Sequence, residues 1–414
     1  MLDGVPLLVK DEIDVVGYDT TYGTRFLGTG EPRTAEAACV ARLRAAGMVV
    51  VGKAMMCEYG LSPCTGHSVA HGQCRNPYNR RRVPGGSSSG CGAAVGAGLV
   101  PVAVGLDGGG SIRLPAGFCG AVGLKATHER IPIVDDPAAG AAITRGLGHV
   151  GPICTSALDC ALVAAVMSGE APAPPVPPPI SPISVADLVD ACAGLRVGVC
   201  GPWVDSASPA LRKACQGFVA ALRDRCGAAV VGDVSIPHLD EMRLAHNALI
   251  LADGLEMLRP HLPGCLKKMG RDTRMRVLLA RNDVATAANV AKAERVRTLA
   301  CQVFAERVFA RCDVLITPAF WGIAPPVAGQ PVGDLDQTTD NAAFHFALPA
   351  NLAGLPAVSF PVGYDDKTGL PIALQAMAAF NDDAAALRVA GLASLLHAWR
   401  PPPGYAAACP LGDA

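Results

Sequence analysis

The 24 residues from Val83 to Leu106 contain no charged side chain. A membrane-spanning helix needs an apolar run of about 20 residues, so length alone would suit one. The run also holds Pro84, Pro101, seven glycines and three consecutive serines, Ser87 to Ser89. Proline removes a helical donor and clashes with the preceding turn, and each interior glycine costs about 1 kcal/mol against alanine. A spanning helix is therefore a poor reading of the segment, and its lack of charge needs another explanation. Half of the 414 residues are hydrophobic and 17% are charged, where about 25% is ordinary. That leaves ample apolar surface for a core and excludes a disordered chain. The formal net charge of −1 provides no basic stripe, so no nucleic-acid partner is expected.

Helical and apolar strand patterns alternate along the chain, which is the signature of an α/β protein. Thr34 can cap a helix whose inner face is Ala37, Val40 and Leu43, ending at Gly47. Met48 to Val51 then reads as a strand buried on both faces. Leu195 to Val199 is a second strand. Ser208 and Pro209 open a helix that stops at Gly227, and a strand begins at Val230-Val231. A long helix over 286–311 precedes a strand at Val314-Leu315-Ile316. The segment 171–182 holds seven prolines and is expected to be a stiff surface connection. A two-domain cut there and a single domain over 1–414 are both compatible with it.

The sixteen cysteines contain no C-x-x-C pair, and a chain of this size needs no disulfide staples, so mostly buried thiols in a reducing compartment are expected. Cys64, His67, His71 and Cys74 have spacing that zinc would accept. The segment reads as a loop with no carboxylate nearby to orient the ligands, so neither a metal nor a cofactor is expected. Asp3, Lys10, Asp11, Glu12 and Asp14 break any apolar run of a secretory signal. The expected location is the cytoplasm or the periphery of an intracellular membrane.

Three motif readings compete for the charge-free segment. A phosphate loop fails because no lysine lies between Val83 and Leu124. A nucleophile elbow around Ser88, in Gly86-Ser-Ser-Ser-Gly90, fails because Pro84 interrupts the strand that this motif requires. The third joins Gly4-Val-Pro-Leu-Leu-Val-Lys-Asp11, Pro84-Gly-Gly-Ser-Ser-Ser-Gly90, Asp107-Gly-Gly-Gly-Ser-Ile-Arg-Leu-Pro115 and Phe118-Cys-Gly-Ala-Val-Gly-Leu-Lys125. With Gly354-Leu-Pro-Ala-Val-Ser359 and Gly369-Leu-Pro-Ile-Ala-Leu-Gln375, these segments resemble the amidase signature family in order and spacing. The resemblance implies one α/β/α sandwich with a large twisted mixed β-sheet covered by helices.

The same resemblance implies a Ser-Ser-Lys triad, with Ser111 as acyl-accepting nucleophile, Ser87 as bridging serine, Lys10 as base, and a cis Gly86–Ser87 peptide. A serine hydroxyl is a weak nucleophile until a neighbouring base takes its proton. Lysine is that base only when neutral, which burial favours, and the apolar run Val5 to Val9 leading into Lys10 is consistent with burial. Gly108, Gly109 and Gly110, with the amide of Ser111, would supply oxyanion donors without a Cβ in the way. Asp107 and Arg113 would pin that loop. None of the nine histidines is then given a catalytic task.

Within the family the sequence resembles most the fatty acid amide hydrolases of the plant type. The triple serine, the triple glycine, Leu114 after Arg113, Phe344-His-Phe346 and Pro349 to Gly354 carry that likeness. Leu61 sits where that branch places an apolar residue lining the acyl site, and ordinary core is its competing reading. An apolar channel suits a long acyl chain, each buried methylene contributing about 0.8 kcal/mol. The expected partner is a small, lipophilic amide. With the lysine motif beginning at Asp3, the single domain over 1–414 is expected to lack the family's usual N-terminal helical segment. Membrane contact and dimerisation often reside in that segment in relatives, so a peripheral membrane contact and a homodimer are both open. Glu12 stands where asparagine is common, Leu106 replaces a threonine, and Cys91 replaces a small residue. The alternatives are a small-amide amidase, a glutamyl-tRNA amidotransferase A-type subunit, and an inactive truncated scaffold.

Overall fold

The structure, a computed structural model, describes residues 2–61, 65–133, 146–169, 192–327, 344–403 and 405. The proline-rich segment 171–182 and Cys64 lie outside the described residues. Twelve strands are described: β1 Pro6–Lys10, β2 Val49–Ala54, β3 His67–Ser68, β4 Gly72–Gln73, β5 Val102–Asp107, β6 Val122–Lys125, β7 His149–Cys154, β8 Arg196–Val199, β9 Ala229–Val231, β10 Val314–Pro318, β11 Ala357–Tyr364 and β12 Pro371–Ala378. The α-helices are α1 Ala38–Ala45, α2 Ser89–Gly96, α3 Arg113–Phe118, α4 Ala157–Ser168, α5 Gly201–Ser206, α6 Pro209–Cys226, α7 Leu239–Leu258, α8 Arg271–Leu279, α9 Ala287–Val303, α10 Leu348–Leu352 and α11 Asp383–Leu396.

Ten strands form one mixed sheet in the order β2-β1-β5-β7-β6-β11-β12-β10-β8-β9. β1 runs parallel to both β2 and β5, β8 runs parallel to β9 and β10, and the central pairs are antiparallel. Strand β5 shows why helices are needed on both sides. Successive side chains point to opposite faces. Val102, Val104 and Leu106 enter the large core that also holds residues of α1, α4, α6 and α11. Ala103 points the other way, into the core formed with α2 and α3. The result is the layered α/β/α arrangement, and the lack of charge from Val102 to Leu106 follows from being covered twice.

The glycines of α2 have a packing reason. A Cβ on Gly92 would sit 2.6 Å from the Pro115 carbonyl oxygen, and one on Gly96 would collide with the Cys119 carbonyl. Helices α2 and α3 therefore meet backbone to backbone, which side chains, charged ones above all, would prevent.

Two local expectations are corrected. Strand β2 is the outer strand of the sheet, and Val49 and Val51 are each 51% exposed. A continuous apolar run is buried on both faces only in a central strand, and sheet position is not written locally. Helix α1 begins at Ala38 with no side-chain cap, rather than at Thr34. Its leading amides are taken by distant carbonyls instead, Ala37 N–H by Asp14 and Ala38 N–H by Ile133, at 3.0 and 2.9 Å. Elsewhere Gly227 ends α6 with φ +70°, and the expected long helix is α9 followed by a wider π-type segment at Phe304–Phe309. The described cysteines are all free, and all except Cys74 and Cys301 are buried. Among the described residues, no helix is long and apolar enough to cross a membrane.

Candidate active site

The parallel pairing of β1 with β5 matches Leu7 with Val102 and Val9 with Val104. Lys10, the last residue of β1, therefore lies beside the end of β5 that leads to Ser111. Its side chain is fully buried, and Nζ has three oxygen neighbours, two of them hydrogen-bond acceptors and the third a carboxylate at ion-pair distance. Ser87 Oγ is at 2.7 Å, the Leu106 carbonyl at 2.9 Å, and Glu12 Oε1 at 2.5 Å. The Glu12 side chain is 5% exposed. Burial of the lysine matches the sequence expectation. The carboxylate on it does not, because the sequence marks Glu12 only as a departure from asparagine.

Ser87 precedes α2 in a loop whose Gly86–Ser87 peptide is cis. The loop is clamped on both sides. Cys57 N–H donates to the Ser87 carbonyl at 3.1 Å, and Gly90 N–H to the Met55 carbonyl at 2.8 Å. Ser88 N–H donates to the Ser111 carbonyl at 3.2 Å, which ties the serine loop to the residue after the triple glycine. Ser111 is 6% exposed and Ser87 is 2% exposed.

The loop 107–111 is organised by one carboxylate. Asp107 accepts from Gly110 N–H at 2.6 Å and Ile112 N–H at 3.2 Å, and from Arg113 Nε and Nη2 at 3.0 Å each. Burial opposes its charge, but Arg113 and Asn351 outweigh burial and hold its carboxyl far below the usual carboxylate range. Arg113 spends its remaining donors on the Ala347 carbonyl at 3.1 Å, Gln375 Oε1 at 2.6 Å and Asn351 Oδ1 at 2.5 Å. Asn351 Nδ2 donates to the Asp107 carbonyl at 2.8 Å. Asn351 and Gln375 stand inside the C-terminal landmarks, and their task as partners of Arg113 was not visible there.

Of the triple glycine, only the Gly110 amide is committed, to Asp107. Among the described residues the N–H groups of Gly108, Gly109 and Ser111 make no hydrogen bond to protein. Gly110, expected from the sequence as an oxyanion donor, has its N–H directed at the buried Asp107 carboxylate in this structure. The Gly108 carbonyl accepts from His246 Nε2 at 2.6 Å. No motif marked His246, which lies in the middle of α7.

Leu61 packs against the apolar cluster of Tyr59, Leu258, Cys265 and Met269. Its neighbour Gly60 is at the site: a Cβ there would be 3.4 Å from Ser87 Oγ and 4.0 Å from Glu12 Oε2. His67 to Gln73 forms the β3–β4 hairpin, while Cys64 is outside the described residues. Among the described residues no group of three or more His, Cys, Asp or Glu is arranged to hold a metal.

Residues 1–387 match the family model described as Amidase. The fatty acid amide hydrolase of Medicago truncatula is 37% identical over 400 residues, covering 94% of this chain and 64% of that protein. The A-type subunit of glutamyl-tRNA(Gln) amidotransferase from Deinococcus radiodurans is 34% identical, covering 94% of this chain and 83% of that protein. The crystal structure of peptide amidase from Stenotrophomonas maltophilia superposes with a TM-score of 0.77 at 27% identity, covering 97% of this chain and 84% of that one. The chain spans less than two thirds of the length of the plant relative.

Proposed function

The chain belongs to the Amidase family, and on that premise we propose that it hydrolyses carboxylic amides through a seryl acyl-enzyme. The observation that carries this reading is the buried 2.7 Å contact between Lys10 Nζ and Ser87 Oγ, in a loop hydrogen-bonded to Ser111. In this reading Ser111 Oγ attacks the amide carbonyl carbon. Its proton passes to Ser87 while the Ser87 proton passes to Lys10, which acts in its neutral amine form. The tetrahedral oxyanion is met by the uncommitted N–H groups of the 108–111 loop. Such preorganised donors are worth about 10²- to 10³-fold each. The C–N bond then breaks as Lys10 and Ser87 return the proton to the departing amine. Water repeats the sequence on the ester and frees the acid. Asp107 and Arg113 hold the loop without touching substrate.

The substrate we propose is a long-chain acyl amide such as an N-acylethanolamine. It is supported by the likeness to the plant fatty acid amide hydrolase and by the apolar cluster that Leu61 joins beside Gly60. A peripheral membrane contact and a homodimer go with this reading, to be measured by vesicle flotation and sedimentation. A second reading, a small-amide amidase or amidotransferase A-type subunit, is favoured by the 83% coverage of the amidotransferase relative. A fluorophosphonate should label the chain and fail to label Ser111→Ala; labelling that survives the change rejects the nucleophile. Turnover of an acylethanolamine compared with acetamide and a glutaminyl substrate separates the two readings. A preference for short acyl groups rejects the fatty-amide one.

A further inference from the structure

We propose that His246 is a positioning residue of the oxyanion loop, its Nε2–H holding the Gly108 carbonyl so that the Gly109 N–H points at the reacting carbonyl. The proposal rests on the amidase reading and assigns a task to a residue outside every motif of that reading. His246 is 2% exposed in the interior of α7. Its Nε2 is 2.6 Å from the Gly108 carbonyl oxygen. A carbonyl only accepts, so Nε2 carries the hydrogen. Burial lowers the ring's pKa to about 4, so the imidazole is neutral near pH 7 and Nδ1 is bare. Nδ1 is buried and has no hydrogen-bond partner among the described residues. The polar contact of this ring is therefore entirely with Gly108.

That contact reaches the chemistry through one planar peptide. The Gly108–Gly109 bond is not among the cis peptides of the chain, and in a trans peptide the C=O and the following N–H point in opposite directions. Drawing the carbonyl toward α7 turns the Gly109 N–H away from α7. The ring also closes over Gly109 from behind, since a Cβ there would lie 3.0 Å from His246 Cε1 and 2.9 Å from Leu348 Cδ2. The neighbouring peptides are set by other means. Asp107 takes the Gly110 N–H at 2.6 Å, and Leu114 N–H holds the Gly110 carbonyl at 2.7 Å, which fixes the peptide carrying the Ser111 N–H. Gly109 is the donor whose direction depends on His246.

The test compares wild type with His246→Gln, whose amide can still donate to Gly108, and His246→Phe, which fills the space and cannot. Each is assayed on a decanoyl p-nitroanilide and with a decyl trifluoromethyl ketone, whose hydrated or serine-bound oxyanion occupies the donor site. The Phe variant is expected to lose about 10²- to 10³-fold in kcat, the range for one oxyanion donor, with KM within about threefold. Its ketone affinity should fall in step with kcat, while Gln retains most of both. If Phe does not fold, His246→Asn, one methylene too short to reach Gly108, takes its place with the same expectations. Equal losses in the rescuing and non-rescuing variants, unchanged kcat, or a fall in kcat with wild-type ketone affinity overturns the proposal alone. A wild-type chain inert to both the anilide and a fluorophosphonate overturns the amidase reading, and the proposal with it.

Discussion

Glu12 Oε1 lies 2.5 Å from Lys10 Nζ with both side chains almost wholly out of water. Removing one partner of such a buried pair leaves the other polar group unsatisfied, at a cost of about 1–3 kcal/mol, whereas replacing both with apolar groups is far less damaging. Glu12→Leu is therefore expected to lower stability by about that amount in urea unfolding. Lys10→Met together with Glu12→Leu should regain most of the loss. A double variant no more stable than Glu12→Leu would show that the pair is energetically unimportant.

Lys10 and Ser87 should behave as one catalytic unit. General-base assistance contributes about 10²- to 10⁴-fold, and the 2.7 Å contact makes Ser87 the only route by which Lys10 is proposed to reach Ser111. Lys10→Ala and Ser87→Ala are each expected to lose that factor in kcat/KM, and the double variant to lose no more than the worse single. Multiplicative losses would mean that the two residues act separately.

The Arg113 side chain gives five hydrogen bonds to four residues from a 1% exposed position. A lysine there has three donors and no planar fork, so Asp107, Asn351 and Gln375 cannot all be satisfied. Arg113→Lys is expected to destabilise by about 3–5 kcal/mol, as for a broken buried pair, and to disorder the 107–111 loop. Urea unfolding gives the first effect and loss of fluorophosphonate labelling rate the second.

The close approach of α2 and α3 makes Gly92 and Gly96 intolerant of a methyl group, since the obstacles are the backbone carbonyls of Pro115 and Cys119. Overpacking of this kind costs about 1–3 kcal/mol. Gly92→Ala and Gly96→Ala should each unfold earlier in urea. Gly217→Ala, in α6 with open space around its Cβ, should be neutral or stabilising.

Stability should fall on mild acidification. Burial lowers the pKa of His246 to about 4, and burial with the Lys125 charge lowers that of His149 well below its ordinary value. Both titrate near 6.5 when unfolded. Below pH 6.5 the unfolded chain therefore binds the extra protons, and each such histidine lowers stability by about 1.4 kcal/mol per pH unit until its folded pKa is reached. Asp107 adds nothing in this window. Its folded pKa is depressed, so its contribution is intact above about 3.9 and is lost only below it. Urea unfolding between pH 7 and 4.5 should show this slope, and His149→Gln should make it shallower by about one proton.

Much of the site was legible because its residues are contiguous. Gly86 to Ser89 and Asp107 to Arg113 stand inside short motifs, and the burial of Lys10 is signalled by the apolar residues before it. Asn351 and Gln375 lay in recognisable segments, but their role depends on an arginine more than 230 residues away in the chain. His246 carried no signal at all. It stands in an ordinary amphipathic helix, and only the packing of α7 against the 107–111 loop makes its ring a partner of Gly108. The errors at β2 and α1 have the same origin. Apolar runs and capping residues report local preference, whereas sheet position and the carbonyls of Asp14 and Ile133 belong to other parts of the chain.

By itself, then, the sequence determined the alternation of helices and strands, the absence of charge around the serine loop, and the residue types available for acyl transfer. These follow from local conformational preference and from the cost of burying charge. The tertiary structure decided which groups meet. Parallel pairing of β1 with β5 set Lys10 beside Ser87, burial turned Glu12 from a substitution into a partner of the lysine, and α7 supplied a hydrogen bond to the 107–111 loop. Contacts over such separations depend on the register of strands and the packing of helices, which no single stretch of residues specifies.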